Sequence, residues 1–204
     1  MTNIDTILAA ARMPPDIPEA KFGRWSFWRV RLPKPSPLLL GGDTMSILGR
    51  VSWLTIHQDS YEVVMEDSAK ELRRHLPVFR HGCGRVLVSG LGLGCVVRGL
   101  LAKPQVDHID VVEIDRWIIH HFGKQFSGDP RVTIHHGDAL KLDWPEGARW
   151  DVAWHDIHCV KGDSLTLLHA RLVSRLYDRC DRQGWWGAGG RIARRVLGDR
   201  IIAS

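Results

Sequence analysis

The chain has no apolar run approaching the roughly 18 residues that cross a bilayer, so no membrane partner is expected from its 204 residues. The opening stretch, Met1–Ala11, has Asp5 near its start and no basic patch before its short apolar segment. It does not read as a secretory signal, and a cytoplasmic location is expected. Cysteine is sparse: Cys83, Cys95, Cys159 and Cys180 form no CxxC pair and no zinc-ligand spacing. They are expected to be reduced and structural, with no metal site. Internal repeats and low-complexity segments are absent. Charge of one sign is also modest. A net +5 would suit an anionic partner but does not by itself argue for nucleic acid. Hydrophobic residues at 44% and charged residues at 25% are those of a soluble globular chain, long enough for a real core.

What the chain does contain is a patterned centre. Arg85–Val86–Leu87–Val88–Ser89 is an apolar run that enters Gly90–Leu91–Gly92–Leu93–Gly94, with glycine at every second position. A second apolar run ends in acid at Val111–Val112–Glu113–Ile114–Asp115. This is the pattern of a parallel α/β sheet that holds an adenosine-containing cofactor. Glycines let the backbone approach the ligand, and an acid at the tip of the next strand bridges ribose hydroxyls. The third glycine of the GxGxxG dinucleotide pattern is missing, and Cys95 follows the loop instead. A further acid, Asp138 in Gly137–Asp138–Ala139, can accept from an adenine amino group, and it equally suits a helix cap.

Along the chain, residues 1–22 read as an irregular or partly helical lead-in with Pro14, Pro15 and Pro18. Residues 23–80 read as a small β-hairpin module and linking helix. Its strands are Trp25–Leu32, Leu38–Leu40, Val51–Ile56 and Tyr61–Met65, and a helix capped by Asp67 or Ser68 runs to about Leu76. Residues 81–204 read as a Rossmann-like domain. Strands Arg85–Ser89, His108–Val112, Val132–His135 and Asp151–Trp154 alternate with helices Cys95–Ala102 and Arg116–Phe126. Leu165, Leu168, Leu172, Leu176 and Cys180 mark one face of another helix. Trp185–Trp186 would start a short fifth strand, and Arg191–Ile201 would form a helix. Little chain follows Asp156, so a sheet shortened at its C-terminal end is expected. Ligands of such sheets bind at the carboxyl ends of the strands, where Gly90, Gly92, Glu113, Asp138 and Asp156 all fall.

Over about Val63–Ile157 the chain resembles the class I S-adenosylmethionine-dependent methyltransferases, specifically the branch containing spermidine synthases. The markers are Pro77–Val78–Phe79, Arg85–Val86–Leu87, the glycine loop, Val112–Glu113–Ile114–Asp115, Asp129–Pro130–Arg131–Val132, Gly137–Asp138–Ala139 and Trp150–Asp151–Val152. The resemblance implies a Rossmann-like methyltransferase sheet preceded by a β-hairpin module. It implies S-adenosylmethionine as cofactor, with Glu113 on the ribose, Asp138 and Ala139 at the adenine, and Ser89–Gly92 at the amino-acid end. The related family's dimers, formed through the hairpin module, extend to this chain as an expectation.

The departures narrow the activity. Leu93 stands where spermidine synthases carry an acid in the loop. Their Tyr–His–Glu becomes Ala69–Lys70–Glu71, and their Asp–Ser–x–Asp–Pro becomes Asp156–Ile157–His158–Cys159–Val160. Too few carboxylates remain for a polyamine, so aminopropyl transfer is the alternative rather than the first reading. A non-catalytic cofactor- or partner-binding protein of the same fold is another.

The first reading is methyl transfer to a small-molecule acceptor, with Asp156 as base and His158 as its better assistant. His155 would face away from Asp156 if side chains alternate along the strand. The eleven histidines produce clusters such as His155–His158 by chance, and no metal is assigned to them. No Asn- or Asp-Pro-Pro-aromatic motif follows the fourth strand, which disfavours methylation of base amino groups. The C-terminal arginines with Trp185–Trp186 are expected to be a solvated face rather than a nucleic-acid surface.

Overall fold

A computed structural model describes residues 2–32, 49–56, 63–157, 165–187, 192–194 and 202–203. The expected strand Leu38–Leu40, the start of the Tyr61–Met65 strand, and His158 and Cys159 lie outside the described residues.

The N-terminal part opens with α1 (Ile4–Ala11), capped by the Asn3 side chain on the Asp5 N–H. Four antiparallel strands follow in the order β1 (Ala20–Phe22), β2 (Trp25–Leu32), β3 (Gly49–Ile56) and β4 (Val63–Glu66). Aromatic contacts fix this sheet onto the rest of the molecule. Phe27 meets Phe122 edge-on at 5.2 Å, and Phe22 stacks on His121 at 4.1 Å.

The expected helix to about Leu76 is instead two short ones, α2 (Ala69–Arg74) and α3 (Leu76–His81). Ser68 caps the first by accepting from the Glu71 N–H, while Asp67 accepts from the Met13 N–H at 3.0 Å. Pro77 lacks an N–H and cannot continue a helix from the previous turn, so the chain restarts there. The break leaves His75 at the junction, 1% exposed.

The second sheet has seven strands in the order β11-β10-β9-β8-β5-β6-β7. Its parallel part comprises β5 (Gly84–Ser89), β6 (Val106–Glu113), β7 (Val132–His136), β8 (Trp150–His155) and β9 (Cys180–Trp185). The crossovers run through α4 (Cys95–Leu101), α5 (Arg116–Phe122) and α6 (Leu165–Arg175). One face buries Val86, Val88, Ile109, Val111, Val152 and Trp154 in a core that also takes in Val78, Phe79, Phe27 and Leu54. The other face buries Leu87, Val112 and Ala153 with Trp150, Leu176 and Cys180. This is the Rossmann-like arrangement read from the alternating pattern.

The C-terminal expectations need correction. Cys180 does not sit on the helix. After Arg175 the chain tightens into a 3₁₀ turn, Tyr177–Arg179, and Cys180 begins β9 beside Trp150. Trp185 therefore ends the fifth strand rather than starting it. The described part of the supposed tail helix is β10 (Ile192–Arg194), antiparallel to β9, and β11 (Ile202–Ala203) pairs with it. The sheet is not cut short at five strands. Antiparallel strands can be joined by brief turns, whereas each parallel strand needs a crossover of a dozen or more residues.

Candidate functional site

The carboxyl ends of β5, β6 and β8 meet at the glycine loop. Gly90 has φ +96°, and a Cβ there would lie 2.0 Å from the Asp156 carbonyl oxygen. Gly92, at φ +51°, leaves no room for a Cβ beside the Met65 sulfur. Only glycine lets the loop run this close to its neighbours. The loop's amides are all used inside the protein. Gly90 N–H donates to Val112 O, Gly94 N–H to Leu91 O, and Leu93 N–H to the Met65 sulfur at 3.0 Å. Leu91 N–H donates to Glu113 Oε2 at 2.9 Å, and Gly92 N–H reaches the same oxygen at 3.5 Å. A phosphate needs free N–H donors. This loop has no free N–H to offer one.

Glu113, the last residue of β6, is 8% exposed. Its other oxygen accepts from the Asp115 N–H at 2.8 Å, so the carboxylate is held at the strand tip by backbone on both sides. Asp115 then caps α5 through Oδ1 to Trp117 and Ile118, while Oδ2 accepts from Trp25 Nε1 at 2.8 Å. That bond anchors the hairpin sheet at the same corner. Asp138 follows β7 and accepts from the Leu140 N–H at 2.9 Å, with Lys141 3.4 Å from its other oxygen. No helix follows: residues 139–141 form a turn, so Asp138 closes a turn rather than capping a helix. Ala139 is half-buried against the Leu87 side of the core.

Asp156 follows β8, with its N–H on Ser89 O at 2.7 Å. Burial, reinforced by the negative charges of Glu71 and Glu113, pushes its carboxyl up to about 7. His75 turns Nε2 toward it, 3.9 Å from Oδ2 and beyond hydrogen-bond distance. Burial, then the nearby Arg74, depresses the His75 imidazole to about 4, so it stays neutral. Its Nδ1 is buried with no hydrogen-bond partner among the described residues. Glu71 Oε1 accepts from Trp186 Nε1, and Arg74 sits 5.1 Å over the Trp186 ring. Trp186 thus anchors the turn after β9 onto α2. Burial raises the Glu71 carboxyl above the usual range.

Two expected residues are placed differently. Ser89 is 1% exposed, and its hydroxyl bonds His155 Nδ1 at 2.9 Å within the sheet, so only its backbone belongs to the site. His155 bonds Gln183 Oε1 through Nε2 at 3.1 Å, and Gln183 Nε2 donates to Val173 O. Because that amide presents its oxygen, His155 carries its proton on Nε2 and accepts from Ser89. It has no ring nitrogen left for Asp156. His158, the expected assistant, lies outside the described residues. Among the described residues, the histidine that faces Asp156 is His75. Its signal in the sequence was its position just ahead of Pro77, where a helix must break. Leu93 is fully buried in the core, so the loop position where spermidine synthases hold an acid is here a packing position.

No protein-family model matches the chain. It is 44% identical over 59 residues to the ribosomal RNA small subunit methyltransferase A of Dechloromonas aromatica, covering 29% of this chain and 22% of that protein. It is 40% identical over 60 residues to the protein of the same name from Pseudomonas syringae pathovar tomato, again 29% and 22%. The chain thus spans about a fifth of the length of these curated relatives, 22% in both cases. Among solved structures, 23S rRNA methyltransferase ErmE superposes with TM-score 0.44 at 16% identity, over 55% of this chain and 44% of that one. A dimethyladenosine transferase from Plasmodium falciparum gives 0.44 at 19%, over 55% and 40%. Superpositions this loose add no weight to the strand order itself. The named relatives act on ribosomal RNA, which overturns the expectation of a small-molecule acceptor. The matches named here are not spermidine synthases, and the placing in that branch has no support. What stands is the coarser assignment: the chain carries a Rossmann-like parallel sheet, and about 60 of its residues are similar to ribosomal RNA small subunit methyltransferases.

Proposed function

We propose that the protein is an S-adenosylmethionine-dependent methyltransferase whose acceptor is RNA. The observation that carries the cofactor is the loop itself. Its glycines let it run against Asp156 and Met65, its amides are consumed internally, and the acids Glu113 and Asp156 stand beside it at the strand ends. That is a site for a cationic adenosine compound rather than for a pyrophosphate. RNA as the acceptor follows from the names of the curated relatives.

The bound cofactor would supply a methyl group already activated by its sulfonium. Glu113, fixed at the strand tip, would hold the ribose hydroxyls, and Asp138, with Ala139 beside it, the adenine. The loop at Ser89–Gly92 would lie at the amino-acid end. Asp156 would orient the acceptor and take its proton, which its position near neutrality permits. The test is transfer of labelled methyl from S-adenosylmethionine to ribosomal RNA by the purified protein, followed by nucleoside analysis. RNA labelled by wild type and unlabelled by Asp156→Asn is expected. Labelling that is undiminished in Asp156→Asn would remove Asp156 from the chemistry, and no labelling by wild type would remove the activity.

A further inference from the structure

Among the described residues, the charges that act on Asp156 are both negative. Glu71 of α2 and Glu113 of β6 both raise its affinity for a proton. Arg74 of α2 is spent on Glu71 at 3.0 Å and on the Trp186 ring. From α4 the Cys95 thiol faces the same region, and burial pushes it up to about 12, so it stays neutral. His75, whose side chain is 2% exposed, is aimed at Asp156 but is neutral and leaves a nitrogen unpartnered among the described residues. Among the described residues no donor hydrogen-bonds the Asp156 carboxyl, and His75 Nε2 stops 3.9 Å from its Oδ2. Arg74 is engaged with Glu71 and Trp186, and Arg98 with Cys95, Gln125 and the Ala11 carbonyl, so among the described residues three carboxyls and a neutral imidazole form a place that a positive charge would complete.

Resting on the cofactor assignment above, we propose that Asp156, flanked by Glu71 and Glu113, releases a proton when S-adenosylmethionine binds, and thereby discriminates the cationic donor from its neutral thioether product. The sulfonium favours the ionised carboxylate, and the proton leaves to solvent. The ionised Asp156 is then the base that the chemistry requires, so donor binding arms it. When the methyl leaves sulfur for the acceptor, the sulfonium bond breaks and the new bond to the acceptor forms. The acceptor's proton passes to Asp156. Thioether and carboxyl are then both neutral, and the pocket has lost the charge that held the donor. Product release follows from the same charge balance that favoured donor binding.

The test is calorimetric titration of the full chain with S-adenosylmethionine and with S-adenosylhomocysteine between pH 5.5 and 7, below the titration of the ligands' own amino groups. Repeating it in buffers of different ionisation enthalpy counts the protons released. Donor affinity should rise about tenfold across this range, as expected for one coupled group titrating near neutrality, while product affinity stays nearly flat. Glu71→Gln should move the donor's pH dependence to lower pH, and Asp156→Asn should abolish it. The wild-type contrast between the two ligands stands by itself if either variant fails to fold. Equal pH dependence for both ligands, or a dependence that survives in Asp156→Asn, would overturn the proton release while leaving cofactor binding intact. If neither ligand binds at any pH, the cofactor assignment falls and this inference with it.

Discussion

Two buried histidines on opposite sides of β8 show how differently one residue type can be used. His155 is fully buried, and both of its ring nitrogens are bonded, to Ser89 and to Gln183. His75 is nearly as buried, yet one nitrogen has no partner among the described residues and the other points across a gap at Asp156. Burial depresses both imidazoles to about 4. The difference is in satisfaction. A fully bonded buried polar group ties strands together, and a half-bonded one costs stability unless a ligand or a reaction uses it.

The largest effect should come from opening the bonded network. His155→Leu leaves the Ser89 hydroxyl and the Gln183 amide oxygen buried without partners, and should cost about 3 kcal/mol in denaturant unfolding. Cofactor affinity of the folded variant should be nearly unchanged, and a large loss of affinity would show that His155 belongs to the site after all. Gly90→Ala should be the converse. Its added Cβ meets the Asp156 carbonyl at 2.0 Å and the φ is positive, so we expect a loss of about 1–3 kcal/mol together with loss of cofactor binding. Retained binding would show that the loop has slack.

Acid should expose both histidines. Each is neutral in the fold at a pH where the unfolded chain, titrating at 6.5, is already protonated. The unfolded state therefore binds more protons between pH 6.5 and about 4, and the stability they contribute is lost as pH falls through that window. Asp156 works oppositely. It holds its proton in the fold up to about 7 against 3.8 when unfolded, so its contribution is full at low pH and disappears as pH rises toward 7. Asp156→Asn should thus steepen the acid loss in a pH series of melting curves, and His155→Leu should flatten it. The smallest effect is expected for His75→Gln, which should change stability by less than about 1 kcal/mol but shift the pH dependence of donor binding. A variant that loses several kcal/mol and keeps the binding profile would make His75 structural.

The alternating centre of the fold was legible in the sequence because its signals are local. Arg85–Ser89 is a continuous apolar run, the glycines mark the loop, and Pro104 stops a helix. The acids that end β6 and follow β7 and β8 stand at the expected strand ends for the same reason. What the sequence hid depends on tertiary contact. The i, i+4 stripe continues through Leu172, Leu176 and Cys180, so it gives no sign that the helix stops at Arg175. The hairpin of β10 with β11 uses short antiparallel pairings that a helical reading of the arginine-rich tail conceals. His75 and Glu71 lie far from Asp156 along the chain, and only tertiary packing, with α3 against β8 and His75 edge-on to Trp154, brings them together. The expectation of a small-molecule acceptor failed because the candidate site's own residues point to a cofactor and say little about an acceptor.

The most direct measurement is the affinity for S-adenosylmethionine of the wild-type chain beside the Glu113→Ala/Asp138→Ala double variant, with folding of both checked by circular dichroism. If the glycine loop and these two acids form the cofactor site, wild type binds and the folded double variant loses binding by about 100-fold or more, as befits two lost charge-assisted contacts. Equal affinity of the two proteins would contradict the site assignment.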